Sequence, residues 1–138
     1  MNNLPIVKIA LCFFETPDKQ ILILRRNPLV FQGNTWGLVG GKIEKNEKSI
    51  CAVQREVMEE VNIRVPKKDF KYIYKHNIHY HDMRAECDVY KVFVPNIFKP
   101  KLQKEEAIDF KWTSYKDFYN MDDIMEGLRG LLDSMELI

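Results

Sequence analysis

Between Ile6 and Phe14 the chain is almost continuously apolar, rich in β-branched and aromatic residues, and this pattern predicts a buried strand. Thr16-Pro17-Asp18 supplies turn chemistry, so Gln20 to Arg26 is expected to return as a second strand. A loop rich in Asn, Pro and Gly follows and ends in Trp36-Gly37-Leu38-Val39-Gly40-Gly41. From Ser49 to Val61 the period becomes helical, because Ile50, Val53, Val57 and Val61 form one apolar stripe. Phe70 to Ile78 and Glu86 to Val94 read as strands, joined as a hairpin through His81-Asp82-Met83, and Ile108 to Thr113 reads as another strand. Ser114 starts a helical turn, and Asp122 or Asp123 is placed to cap a final helix running to Met135. Strands and helices mix without regular βαβ alternation, so the expected class is α+β, with a helix packed on a mixed sheet. No repeat, low-complexity run or linker interrupts the chain, and residues 1–138 are expected to form a single domain.

The chain's 138 residues suffice for one real core, and 46% hydrophobic with 30% charged residues is ordinary globular composition. Net charge is +1, from 21 basic and 20 acidic residues, which gives no global field for a nucleic-acid polymer or an anionic membrane. Any phosphate recognition must come from local arrangement, and the expected partner is a small molecule. Cys12, Cys51 and Cys87 are odd in number and lie far apart, so free thiols in a reducing cytosol are expected. The first apolar stretch contains Lys8, follows Pro5 and is too short to span a bilayer. A soluble cytoplasmic protein is the resulting expectation.

Arg55-Glu56-Val57-Met58-Glu59-Glu60 carries the most informative chemistry. On a helix Glu56, Glu59 and Glu60 fall within one arc of roughly 100°, beside the apolar stripe. Like charges at this spacing cost about 0.2–0.5 kcal/mol per pair, and negative charge near a helix C-terminus opposes the macrodipole. Such a cluster becomes favourable when a hard divalent cation sits on it, and magnesium shares its shell with substrate phosphates. A solvated acidic face is the competing reading.

Read from Gly41, the chain runs through five residues to Glu47, then seven residues to Arg55-Glu56-Val57-Met58-Glu59-Glu60-Val61-Asn62-Ile63. This resembles the Nudix box, G-x5-E-x7-R-E-U-x-E-E-x-G-U, where U is aliphatic. Across its 23 positions one defined residue departs: Asn62 stands where the family has Gly. Asn tolerates a left-handed helix end next best after Gly, so the backbone is expected to survive the change. Trp36 to Glu44 is also similar to the family's approach to the box, with Val39 in place of a usual Pro.

The resemblance implies a loop–helix–loop on an α/β/α sandwich with a mixed sheet, and a Mg2+-dependent (or Mn2+-dependent) hydrolase of diphosphate linkages. Carried over, Glu56, Glu59 and Glu60 are metal carboxylates and the Gly40 carbonyl is a further ligand. Glu47 and Arg55 form a structural ion pair, with an i,i+4 pair between Arg55 and Glu59 as an equal alternative. Glu59 or Glu60 acts as the catalytic base, unless a later loop supplies it. Glu106, six residues before Trp112, resembles an acidic loop ligand of MutT-type members, and Glu105 is its rival.

Likeness to the MutT-type nucleoside triphosphate pyrophosphohydrolases extends to Leu24-Arg25-Arg26, which makes Arg26 a candidate grip on substrate phosphate. Tyr80 is placed to stack on a base, and a tyrosine at this spacing also occurs in dinucleoside polyphosphate hydrolases. The branch implies release of nucleoside monophosphate and pyrophosphate. Hydrolysis of dinucleoside polyphosphates, ADP-ribose or nucleotide sugars is the alternative, and a non-catalytic Nudix-like reader domain that binds a nucleotide is an alternative of another class.

Other motifs carry less. Gly40-Gly41-Lys42 lacks the remaining positions of a P-loop. His79 and His81 share a strand face but have no nearby cysteine to complete a zinc site. Aromatics between Phe70 and Tyr80 with Lys67, Lys68, Lys71 and Lys75 fit an amphipathic strand as well as single-strand binding. Phe98, Phe118 and Tyr119 either close the core or form a dimer contact, so monomer and homodimer both stay open.

Overall fold

The computed structural model describes residues 4–136. Strand β1 (Ile6–Glu15) runs through the middle of a seven-stranded mixed sheet. It pairs antiparallel with β4 (Val39–Lys42) on one side and parallel with β6 (Arg84–Phe93) on the other. The β6 strand in turn pairs antiparallel with β5 (Lys71–His79), and Tyr80 to Met83 forms the turn between them. Strand β2 (Gln20–Arg26) leaves β1 after the Thr16 turn and pairs with β3 (Trp36–Gly37) and with β7 (Ala107–Ser114). The α+β class and the mixed sheet are as expected.

Alternation along β1 and β2 shows why both strands are apolar throughout. Ala10, Cys12, Phe14, Leu22 and Leu24 face helix α1 (Ser49–Val61), where they bury Val53, Val57 and Val61. Phe13, Ile21 and Ile23 point the other way, onto Tyr115 and Phe118 of α2 (Tyr115–Tyr119) and Leu128, Leu131 and Leu132 of α3 (Leu128–Ser134). A sheet covered on both faces needs no polar side. Full burial of side chains such as Val53 and Val57 contributes about 1.5–3 kcal/mol each. Phe118 is fully buried and Phe98 packs on the α1-side core, so these aromatics close the interior. Among the described residues no helix is long and apolar enough to cross a membrane.

Two expectations need correction. The final helix does not begin at Asp122 or Asp123; it spans Leu128–Ser134, with Gly127 before it. The Trp36 N–H donates to the Asp123 carbonyl at 2.8 Å and the Met125 N–H to the Trp36 carbonyl at 2.9 Å. Those bonds make a parallel bridge between Trp36 and Ile124, which holds the segment extended where a helix would need it coiled. The stretch from Trp36 to Gly41 is also not simply loop, since β3 and β4 lie within it.

Candidate active site

Helix α1 ends as the sequence predicts. Asn62 adopts φ 59° and ψ 39°, and its N–H donates to the Met58 carbonyl at 3.1 Å. This stop leaves Glu59 and Glu60 in the last helical turn, with Glu56 one turn earlier.

The glycines of β4 bring the backbone onto those carboxylates. Gly40 sits at φ +146°, and a Cβ there would stand 2.1 Å from the Ala10 carbonyl oxygen, so the strand can lie this close to β1 only as glycine. In this position the Gly40 N–H donates to Glu60 Oε1 at 2.6 Å. A Cβ on Gly41 would meet the Glu56 carboxyl carbon at 2.5 Å, so Glu56 occupies the space that the missing side chain leaves.

Burial separates the three acids. Glu60 is 7% exposed, and loss of solvent pushes its carboxyl well above the usual range. The Gly40 N–H and the Arg26 charge oppose that rise, while Glu56 and Glu106 add to it. Glu56 is also raised, first by burial and then by the charges of Glu59 and Glu106, against the pull of Arg55. Glu59 is half exposed. The charge of Glu106 thus bears on both inner acids, whereas that of its rival Glu105 is not among the causes for either.

Arg55 makes both of the pairs left open by the sequence. Its Nε and Nη2 contact Glu47 Oε2 and Oε1 at 2.9 and 3.0 Å, and Nη1 reaches Glu59 at 3.3 Å and Glu56 at 3.0 Å. Nη2 also donates to the Lys42 carbonyl at 3.0 Å. Glu47 is correspondingly held below the usual carboxylate range, mainly by its Arg55 hydrogen bond. Among the described residues no three of His, Cys, Asp and Glu stand converged for a metal ion as they are. Glu56 and Glu59 are turned to Arg55, and Glu60 to the Gly40 N–H.

Beside the acids lies a cavity of about 390 Å³, walled by Leu11, Leu38, Ile78 and Leu128 and bordered by Gly40 and Gly41. Arg26 and Tyr80 both line it, so the two substrate-binding candidates are brought to one place. A bulge between the β2 and β7 registers falls beside Arg26, whose Nε donates to the Phe31 carbonyl at 2.8 Å. Its charge reaches both Glu60 and Tyr80. Tyr80 meets Phe31 edge to face at 5.6 Å. Phe31, Met125 and Glu126 also border the cavity, and the sequence reading missed them. They lie in segments with no periodic pattern; an exposed aromatic within a Pro/Gly/Asn loop was the one available signal for Phe31.

Known proteins place the chain in a family. The NUDIX domain family matches residues 6–135, and the chain belongs to that family of hydrolases. Among solved structures, a MutT protein from Methanosarcina mazei Go1 superposes with a TM-score of 0.85 at 21% identity, covering 99% of this chain and 96% of that one. A dihydroneopterin triphosphate pyrophosphohydrolase from E. coli gives 0.71 at 19% identity, covering 94% of each. The NUDIX domain of Shewanella oneidensis NrtR, solved with ADP ribose, also gives 0.71, at 18% identity, covering 99% of this chain and 89% of that one. At these identities the likeness is one of fold. An octanoyltransferase from Myxococcus xanthus is 35% identical over 66 residues, and this chain spans 18% of that protein's length.

Proposed function

We propose that the chain, as a single Nudix domain, hydrolyses a diphosphate linkage in a nucleoside triphosphate-type substrate with Mg2+ or Mn2+, giving nucleoside monophosphate and pyrophosphate. The observation that carries this reading is the adjacency of the carboxylate face to a cavity of nucleoside size, which Arg26 lines and from which its charge acts on Glu60.

The donor set fits a hard divalent cation. Glu56, Glu59 and Glu60 with the Gly40 carbonyl offer oxygen alone, which suits magnesium. Glu106 adds negative charge to the inner pair, and the Gly41 backbone leaves room for the Glu56 carboxylate. When bound, the metal neutralises diphosphate oxygens and lowers the pKa of a water. Glu56 and Glu59 release Arg55 to take up that role, and Arg55 keeps its two-point hold on Glu47. Arg26 orients the phosphates against the acids. Tyr80 packs on the base. A carboxylate accepts the proton of the attacking water: Glu106 is our choice over Glu59 and Glu60, because those two are assigned to the metal while Glu106 stands outside that set and bears on the inner acids by its charge.

ADP-ribose is the second reading, favoured by the likeness to the NrtR domain solved with that ligand. The deciding experiment incubates the protein and its Glu60→Gln variant with magnesium and nucleoside triphosphates, ADP-ribose or diadenosine polyphosphates, and resolves products by anion exchange. Magnesium-dependent monophosphate and pyrophosphate, lost in the variant, is the expected result. Turnover of ADP-ribose or dinucleotides alone overturns the substrate, and binding without turnover overturns the enzyme in favour of a nucleotide reader. Cytoplasmic residence is part of the same proposal.

A further inference from the structure

Glu106 closes the irregular segment that joins β6 to β7. The Glu106 and Ala107 N–H groups both donate to the Gln103 carbonyl at 2.9 Å, which folds residues 103–106 into a turn. Contacts from this segment to α1 are long: Gln103 N–H to the Glu60 carbonyl and Lys101 N–H to the Val61 carbonyl, each at 3.4 Å. The β2–β7 ladder gives little more, because its register skips Ile108 between Arg25 and Arg26 and ends there. Something else must hold the turn.

The short contacts come from Asn27, the residue after Arg26. Its N–H donates to the Glu106 carbonyl at 2.8 Å, and its side-chain Nδ2 donates to the Lys104 carbonyl at 2.7 Å. On the other side, Oδ1 accepts the Leu29 N–H at 2.9 Å and the Asn27 carbonyl accepts the Val30 N–H at 3.2 Å. These partners fix the orientation of the carboxamide, since a flipped amide would set oxygen against a carbonyl and nitrogen against an N–H. Arg26 donates from Nε to the Phe31 carbonyl, so this corner joins the cavity loop, the cavity arginine and the Glu106 turn.

We propose that Asn27 is a positioning residue for the reaction: its carboxamide holds the 103–106 turn so that Glu106 is presented to the carboxylate face of α1. This rests on the reading of Glu106 as the proton acceptor and adds the residue that places it. Asn27 does not touch the reacting atoms; it acts through the backbone of the turn. Misplacing a reacting group by about 1 Å costs up to roughly a hundredfold in rate, so a single carbonyl contact is enough to matter. The side chain must donate to one loop and accept from the other. Aspartate at this position keeps the bond from the Leu29 N–H, and with it the turn at residues 27–29, but sets an acceptor against the Lys104 carbonyl. Alanine keeps neither bond. Both retain the Asn27 N–H contact to Glu106, so the turn shifts without the chain unfolding.

Two measurements test the placement. Steady-state kinetics compares wild type, Asn27→Ala, Asn27→Asp, Glu106→Gln and the double variant Asn27→Ala/Glu106→Gln, with Tm for each. Amide hydrogen exchange at Glu106 and Ala107 is followed in the same proteins without substrate. Asn27→Ala and Asn27→Asp are each expected to lower kcat by about tenfold or more, with KM within about twofold. The double variant is expected to stay within about twofold of Glu106→Gln, because a turn without its base has nothing left to place. Exchange at Glu106 and Ala107 is expected to speed up by about tenfold or more in both Asn27 variants. Wild-type kcat in Asn27→Asp overturns the proposal, and so does an effect confined to KM. Losses that multiply in the double variant, or unchanged exchange, overturn it as well. Full activity in Glu106→Gln removes the base, and the role of Asn27 falls with it. If no substrate is cut, the hydrolase reading fails by itself; faster exchange then still supports the hold on the turn, and unchanged exchange overturns it.

Discussion

Arg55→Ala measures what holds the loop before α1 to the carboxylate face. The guanidinium grips Glu47 at two points, 2.9 and 3.0 Å, and reaches the Lys42 carbonyl and Glu56 at 3.0 Å each. A hydrogen bond to a charged group contributes about 1.5–3 kcal/mol net, whereas an exposed ion pair contributes about 0–1 kcal/mol. The Arg55 side chain is 27% exposed, against 17% for Glu47 and 16% for Glu56, so the contacts fall between those limits. Removing Arg55 also leaves Glu56 and Glu59 to repel each other with no cation between them. The expected loss is about 2–3 kcal/mol, a fall in Tm of about 6–9 °C for a domain of this size. Arg55→Lys recovers only a minor part, because an ammonium cannot make the two-point contact. The pH dependence follows from Glu47, whose folded carboxyl lies below its unfolded value because of Arg55. That stabilisation is fully present above the unfolded value of about 4.3 and is lost as pH falls through the lower folded value. The gap between wild type and Arg55→Ala should therefore be widest near neutrality and shrink below about pH 4. Urea unfolding at several pH values reads both quantities. A variant within about 0.5 kcal/mol of wild type at neutral pH, or a gap that widens in acid, refutes the account.

Three further outcomes are expected. Glu106→Gln should lower kcat by about a hundredfold with little change in KM, while Glu105→Gln stays within about twofold; equal effects, read in steady-state kinetics, exclude Glu106 as the proton acceptor. Gly41→Ala should raise the magnesium concentration for half-maximal activity by about tenfold or more, since its Cβ meets the Glu56 carboxyl carbon at 2.5 Å; a magnesium titration with Tm as control checks this. Asn62→Gly should leave stability within about 0.5 kcal/mol, whereas Asn62→Ala at φ 59° should cost about 1 kcal/mol, and chemical unfolding that ranks them otherwise removes the left-handed stop from the explanation.

Period and turn chemistry made most of this fold readable. Helix α1 and strand β2 have the ends that the pattern predicts, β1 runs one residue further at its end only, and β5, β6 and β7 differ by one or two residues at each end. Short pairing segments escaped. Trp36–Gly37 and Val39–Lys42 are too short and glycine-rich to show alternation, and their strand character comes from neighbours far along the chain. The final helix was misplaced because Asp122 and Asp123 look like caps locally, while the backbone there is claimed by Trp36. The same division runs through the site. Glu56, Glu59 and Glu60 are legible since one helix fixes their relation, and Arg26 and Tyr80 through family likeness. Phe31 and Glu126 reach the cavity only through bonds such as that between Glu126 and Gln32, which have no periodic trace.

The parallel pairing of β1 with β6 sets a timetable for the growing chain. Ile6 lies opposite Arg84 and Glu15 opposite Phe93, so the central strand waits for its longest partner until Phe93 has been made. During synthesis at about 5–20 residues per second, that interval lasts on the order of several seconds. Throughout it the edge of β1 that later receives β6 is open, beside apolar residues such as Phe13 and Phe14 that have not yet been covered. Chaperone demand, and sensitivity to codons that slow translation, should therefore concentrate on the stretch between Glu15 and Phe93.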